Sequence, residues 1–184
     1  SLAAPEANRL FNQAIGFLRH LLEGMPSHVE SWALCADIYF YRNQFASAEV
    51  MTSRALKLNP KHLPANLTLV KLLMSRSDFS HAESVLLEVA RQAPEQPEID
   101  FLLAQAYKKL GNFPYMLKHN AMAIQKAPEN IEYWSQWFDH AERTGASTLV
   151  IGRTRERPLA RIFNLALTQQ LLRRGAHYEM VILA

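Results

Sequence analysis

Seven histidines, one cysteine and a group of carboxylates are the residues of this 184-residue chain that could carry chemistry. His20, His28, His62, His81, His119, His140 and His177 form no H-E-x-x-H pair and never stand beside cysteine at zinc-ligand spacing. No metal site is expected. Cys35 is alone, which excludes an internal disulfide and fits a reducing compartment. Glu95, Glu98 and Asp100 cluster near one turn, a placement suited to a helix N-terminus rather than to acid–base work. Phosphate-cradling G-x-x-x-x-G-K-[ST] and G-x-G-x-x-G loops are absent, as is a G-x-S-x-G nucleophile turn. These residues predict no catalytic site and no cofactor.

Charge narrows the partners. The net charge is +3, and through Arg143 the chain is nearly balanced. Beyond that point Arg153, Arg155, Arg157, Arg161, Arg173 and Arg174 face only Glu156 and Glu179. No aromatic residue is interleaved in Arg153-x-Arg155-x-Arg157, so nucleic acid is disfavoured as a partner. No apolar run approaches the roughly 20 residues of a membrane span, and no secretory signal is recognisable. The expected location is the cytoplasm, with the periplasm as alternative.

The elements that must position any functional side chain come from an internal repeat. Pro26, Pro60, Pro94 and Pro128 are 34 residues apart, and Phe11, Phe45, Phe79 and Phe113 keep the same register. Ala14, Ala48 and Ala82 follow it, with Met116 in the fourth place, and so do Gly111 and Gly145. Between the proline landmarks, apolar residues recur at helical spacing in two blocks. Trp32, Cys35, Ala36, Tyr39 and Phe40 make a first helix; Phe45, Ala48, Met51, Ala55 and Leu58 make a second. Asn59-Pro60 ends it, because proline disfavours helical geometry in the residue before it. Further blocks over 63–76 and 79–91, then 98–110 and 113–126, repeat the plan. Gly111 supplies a positive φ at a helix end.

The pattern Trp32-x-x-Cys35-Ala36-x-x-Tyr39 followed by Ala48, Ala55 and Pro60 resembles the tetratricopeptide repeat, W-x-x-L-G-x-x-Y…A…A…P. Leu103-Ala104-x-x-Tyr107, Ala123 and Pro128 match it too, while Asn66, Leu69, Val70 and Leu73 form a degenerate unit. The resemblance implies an all-α, right-handed superhelical array of antiparallel helix pairs. The expected organisation is a half unit at 5–26, full units at 29–62, 63–96 and 97–130, and a half unit at 131–145. Residues 146–184 are either a basic C-terminal cap or the start of an α/β unit.

By the same resemblance, first helices line an inner groove, and columns of residues 34 apart make the binding surface. One column is Glu30, Pro64, Glu98 and Glu132, and another is Asp37, Lys71, Gln105 and Asp139. A third is Tyr41, Ser75, Lys109 and Arg143, with Phe40, Met74, Lys108 and Glu142 beside it. Ala33 and Asp37 do not reproduce the Lys/Asn/Arg clamp that grips C-terminal carboxylates in other family members. Glu30, Asp37, Tyr41, Lys71, Glu98, Gln105, Lys108, Glu132 and Asp139 are the expected groove residues, and the expected partner is a protein segment carrying basic residues. For each of these side chains taken singly, a solvated surface is the plainer reading. Self-association through open repeat edges is also expected, since the half unit at Phe11 leaves an apolar face to cover.

The tail admits two readings. Thr148–Gly152 and Tyr178–Leu183 are strand-like, with a helical pattern over Leu159–Arg174 between them. Leu171-Leu-Arg-Arg-Gly175…Met180-Val-Ile-Leu183 resembles the opening of nucleotide-sugar glycosyltransferases, which implies the N-terminal recognition module of a larger enzyme. Alternatively Leu159–Arg174 is a helix capping the last repeat, and 176–184 is continued helix or a frayed end. The cap is preferred, because an isolated βαβ has too little sheet to stand alone.

Overall fold

The turn inside each helix pair is built on one residue in the left-handed region, and these residues are 34 apart. Asn43 has φ 57°, Ser77 has φ 63° and Gly111 has φ 75°. Just after them the backbone N–H groups of Gln44, Asp78 and Asn112 reach back five residues to the carbonyls of Tyr39, Leu73 and Tyr107, at 2.9 to 3.0 Å. That is the Schellman closure of a helix C-terminus. The residue that closes one helix also opens the next. Asp78 and Asn112 accept from the amides of His81 and Tyr115 through their side chains.

The computed structural model describes residues 4–144, 148–151 and 179–182. Its helices are α1 (Ala4–Gly24), α2 (Val29–Tyr41), α3 (Phe45–Leu58), α4 (Leu63–Ser75), α5 (Phe79–Gln92), α6 (Pro97–Lys109), α7 (Phe113–Lys126) and α8 (Ile131–Thr144). The helical repeat expected from the 34-residue register is therefore the observed architecture of residues 4–144. The chain forms two compact units, Ser1–Pro94 and Glu95–Ala184.

In the first unit, α2 pairs with α3 and α4 with α5, while α1 packs on α2. Leu18 and Leu22 of α1 meet Cys35 of α2, with Trp32, Ile38, Tyr39 and Met51 around them. Ala33, Ala55 and Ala65 form a second contact layer with Val29, Trp32 and Leu56. Ala36, Ala48, Ala55, Ala65 and Ala82 are wholly buried. Small residues at these crossings let helix backbones approach closely, which explains the alanine register. In the second unit α6 and α7 form the corresponding pair and α8 packs on α7. Leu103, Ala104, Ala106, Met116 and Ala123 fill its core, and the Phe101 and Tyr133 rings meet at 4.6 Å.

After the repeat come two short strands, β1 (Thr148–Ile151) and β2 (Glu179–Ile182). They pair in parallel, Thr148 opposite Glu179 and Ile151 opposite Ile182. This corrects the reading of 176–184 as continued helix or frayed end: the apolar, β-branched runs Thr-Leu-Val-Ile and Glu-Met-Val-Ile find each other as ladder partners. The expected capping helix over Leu159–Arg174 lies outside the described residues.

The shared turn geometry yields a paired prediction. A Cβ added at Gly111 would meet nothing within 4 Å, so only the positive φ opposes it. Gly111→Ala is expected to destabilise the chain by about 1 kcal/mol, and Ser77→Gly to stabilise it by somewhat less. Urea titrations followed by circular dichroism would check both; equal and negligible shifts would contradict the account.

Candidate functional site

The first-type helices of the first unit bring four of the expected groove residues together in two groups. At the N-terminal ends of α2 and α4, His28 and His62 are the cap residues. Each uses Nδ1 to accept a backbone N–H, from Ser31 at 3.3 Å and Ala65 at 3.4 Å. That assigns the proton of the neutral ring to Nε2. Both Nε2 atoms face the Glu30 carboxylate, at 3.7 Å from His28 and 4.0 Å from His62. Glu30 remains largely exposed. The matching positions of His28 and His62 are thus repeat architecture.

Midway along the same helices Asp37 of α2 faces Lys71 of α4, Oδ1 to Nζ at 3.7 Å. The Lys71 ammonium also lies 5.5 Å from the centre of the Tyr41 ring, within range of a cation–π attraction. Lys71 is mostly covered, Asp37 half-exposed, and Tyr41 62% exposed. An aromatic face, a carboxylate and a held ammonium therefore share one open surface. Between α3 and α4 is a cleft of about 350 Å³ lined by Leu56, Leu69, Leu72 and Leu73. Its rim carries Arg76, whose guanidinium grips Glu49 in bidentate fashion at 2.9 and 2.5 Å.

In the second unit the expected residues are more dispersed. Glu98 and Glu132 both act on Tyr133: burial pushes its phenol above the ordinary value, and these two carboxylates push it further. Gln105, Lys108 and Asp139 are half-buried along α6 and α8. No hydrogen bond or ion pair among the described residues joins Gln105 to Lys108.

A buried ionic cluster was not foreseen. Asp100, 4% exposed, bonds through Oδ1 to His119 Nδ1 at 2.8 Å and accepts from Lys126 Nζ through Oδ2. Tyr107 stacks on His119, with ring centres 5.5 Å apart. Burial opposes ionisation of Asp100, but the bonds and charges from His119 and Lys126 outweigh it, so the carboxyl sits below its ordinary value. A signal was present in the register: Asp100 shares a column with Trp32, Asn66 and Trp134. Those three donate side-chain N–H groups to the carbonyls of Pro26, Pro60 and Pro128, at 2.8, 3.0 and 2.9 Å. A carboxylate cannot make that bond, and here its negative charge is met by α7 instead.

Cys35 is fully buried in the α1–α2 core, and burial pushes its thiol up, away from the nucleophilic thiolate. Among the described residues no group of three His, Cys, Asp or Glu side chains could hold a metal ion. None of the described helices is long and apolar enough to cross a membrane. On α1, Leu10 and Phe17 are 43% and 68% exposed, while Ala14 and Leu21 are half-buried. The positions equivalent to Ala14 and Leu21 on α3, α5 and α7 are all buried.

The helix pairs, their 34-residue pitch and their shared turn define a tetratricopeptide-type helical repeat. Residues 41–106 match the tetratricopeptide repeat model directly. Among solved structures, MamA 41-end from Desulfovibrio magneticus RS-1 superposes with a TM-score of 0.65 at 19% identity, covering 89% of this chain and 86% of that one. A crystal structure of MamA gives 0.65 at 15% identity, over 95% of this chain and 99% of the other. TTC0263, a thermophilic TPR protein of Thermus thermophilus, gives 0.62 at 20% identity, over 72% and 74%. At these identities the likeness is one of fold. No curated protein matches the sequence significantly. The glycosyltransferase resemblance of 171–183 gains no support from the family match or from these structures.

The Asp100 cluster predicts a pH-dependent loss of stability. Its folded value is depressed, so its contribution is present above the unfolded value near pH 4 and disappears as pH falls through the folded one. Asp100→Asn is expected to cost about 3 kcal/mol at pH 7, with the gap to wild type closing below about pH 4. Thermal melts across that range would decide; a gap constant with pH would mean that the carboxylate charge is irrelevant.

Proposed function

We propose that this chain is a protein-interaction scaffold that holds a partner segment against its first-type helices, without a cofactor and without catalysis. The observation that carries this reading is the Asp37–Lys71–Tyr41 group: three side chains from two helices, mutually oriented by contact yet open on one face. Such a group offers a partner a hydrogen-bond acceptor, a positioned cation and an aromatic surface with little side-chain entropy left to lose. Glu30, and on the second unit Glu98 and Glu132, add negative charge at the N-terminal ends of these helices. Basic residues on the partner segment suit that distribution. The tetratricopeptide fold supports the reading by analogy only. A cytoplasmic setting agrees with the buried, unpaired Cys35.

A chain in which Glu30, Glu98 and Glu132 are all changed to Lys is expected to lose the partners that wild type retains from source-cell extract, with helicity unchanged by circular dichroism. Quantitative mass spectrometry of the two captures makes the comparison; identical partner sets at normal helicity would sink the reading.

The exposed apolar residues of α1 favour a second use, self-association through that helix. Phe17→Glu is expected to shift sedimentation towards the monomer, and a wild-type chain monomeric at high concentration would rule this use out.

A further inference from the structure

The turn between α6 and α7 departs from its two siblings in a consistent direction. At the cap of the first turn Arg42 donates to Asn12 Oδ1 at 2.7 Å, and at the second Arg76 grips Glu49. The third turn has Leu110 in that place, 41% exposed. Three residues into the second helix, Ser47 and His81 give way to Tyr115, 50% exposed. Phe113, the landmark aromatic of the repeat, is 46% exposed, whereas Phe45 and Phe79 are half-buried. Three large apolar side chains are therefore left exposed around this one turn, where the equivalent turns carry polar or ion-paired groups.

The segment that forms this corner carries charge of one sign only. From 101 to 128 the sequence contains no Asp or Glu, while Lys108, Lys109, Lys118 and Lys126 all fall within it. Lys126 is engaged by Asp100. No carboxylate among the described residues lies within ion-pair distance of Lys108, Lys109 or Lys118. Lys118 instead rests its ammonium 5.9 Å from the Tyr115 ring centre, and Tyr115 in turn packs on Tyr107 at 5.3 Å. From α8, His140 contacts Phe113, with ring centres 5.3 Å apart, and Asp139 is half-buried nearby in sequence. Exposed apolar side chains with ammonium groups close by in the same helix pair make a candidate binding patch.

We propose that the α6–α7 corner is a docking surface for an acidic peptide segment, one carrying an aromatic or large aliphatic residue beside its carboxylates. The apolar residue covers Leu110 and Phe113, and the carboxylates meet Lys108, Lys109 and Lys118. Nucleic acid fits less well. Base stacking needs an open aromatic face, and that of Tyr115 is attended by Lys118. Three lysines also give a short electrostatic footprint for a polyanion, with Glu98 on the same helix as Lys108. This surface belongs to the second unit and does not rest on the reading of the α2–α4 face.

The test is selection of linear peptides from a random display library on the full chain, followed by fluorescence anisotropy with the synthesised winners. Enriched peptides are expected to carry at least two carboxylates flanking an aromatic or leucine. Their affinity should fall about tenfold or more in the variant Lys108→Glu, Lys109→Glu, Lys118→Glu. It should fall similarly in Leu110→Arg with Tyr115→Ser, which installs the residues found at Arg76 and Ser47 and so preserves a turn the chain already makes. Glu30→Lys should leave it unchanged. The proposal is overturned if no acidic class emerges, if either variant binds as wild type does, or if single-stranded oligothymidylate displaces the peptides.

Discussion

Three of the four first-type helices are tied to the loop before them by a hydrogen bond from a side-chain N–H to a proline carbonyl. Trp32, Asn66 and Trp134 each donate to the proline six residues earlier, the residue that stands just beyond the end of the preceding helix. The bond does two things at once. It satisfies a loop carbonyl that has no partner within the preceding helix, and it ties the first turn of one helix to the loop before it. Where it forms, the connection into the next helix thereby has a fixed number of residues. A loop of any other length would leave the donor too far from its carbonyl, so an insertion in these turns would disrupt the packing of the alanines that follow in register.

Asp100 shows how far that constraint can be bent. The third unit has lost the donor but keeps a polar side chain at the same depth, and a buried carboxylate demands charge and hydrogen bonds in return. His119 and Lys126 supply both from a single neighbouring helix. A link that elsewhere joins a helix to the loop before it here joins α6 to the body of α7. The cluster also removes one lysine from the surface around the α6–α7 turn. The chemistry left exposed there is thus set partly by what the core consumes.

The fold was largely legible because its determinants are periodic. Phe, Pro and Ala recur every 34 residues, and a landmark repeated from unit to unit can be read without knowing its geometry. The turn was legible at Gly111, whose type declares a positive φ, but not at Asn43 or Ser77, which adopt the same geometry with ordinary side chains. The ionic cluster was not legible because it is aperiodic: Asp100, His119 and Lys126 occur together in one unit only. Of the groove residues, the columns gave membership of a face, while the partition into Glu30 with two histidines and Asp37 with Lys71 and Tyr41 needed distances across helices. The parallel pairing of β1 with β2 was open for a different reason. Strand-like runs identify themselves by composition, but their pairing is a long-range contact that local pattern cannot assign.

Charge placement along the first helices has a structural explanation that must be separated from function. Carboxylates at N-terminal ends (Glu30, Glu98, Glu132) and cations at or just past C-terminal ends (Arg42, Arg76, Lys108, Lys109) complement the helix dipole, and this alone would select them. What the dipole does not demand is the state of each group. Arg42 and Arg76 are committed to partners within the chain, and their turns expose a polar, saturated surface. Lys108 and Lys109 meet the same dipole requirement without a carboxylate, beside Leu110 where an arginine would have covered the corner. Stability alone gives no reason to replace a paired arginine by an exposed leucine, since apolar surface left in water forfeits the gain of burial. A helix end that satisfies its dipole and still leaves charge and apolar surface unspent is arranged for something outside the chain, and that distinguishes the α6–α7 corner from the two turns built on the same backbone.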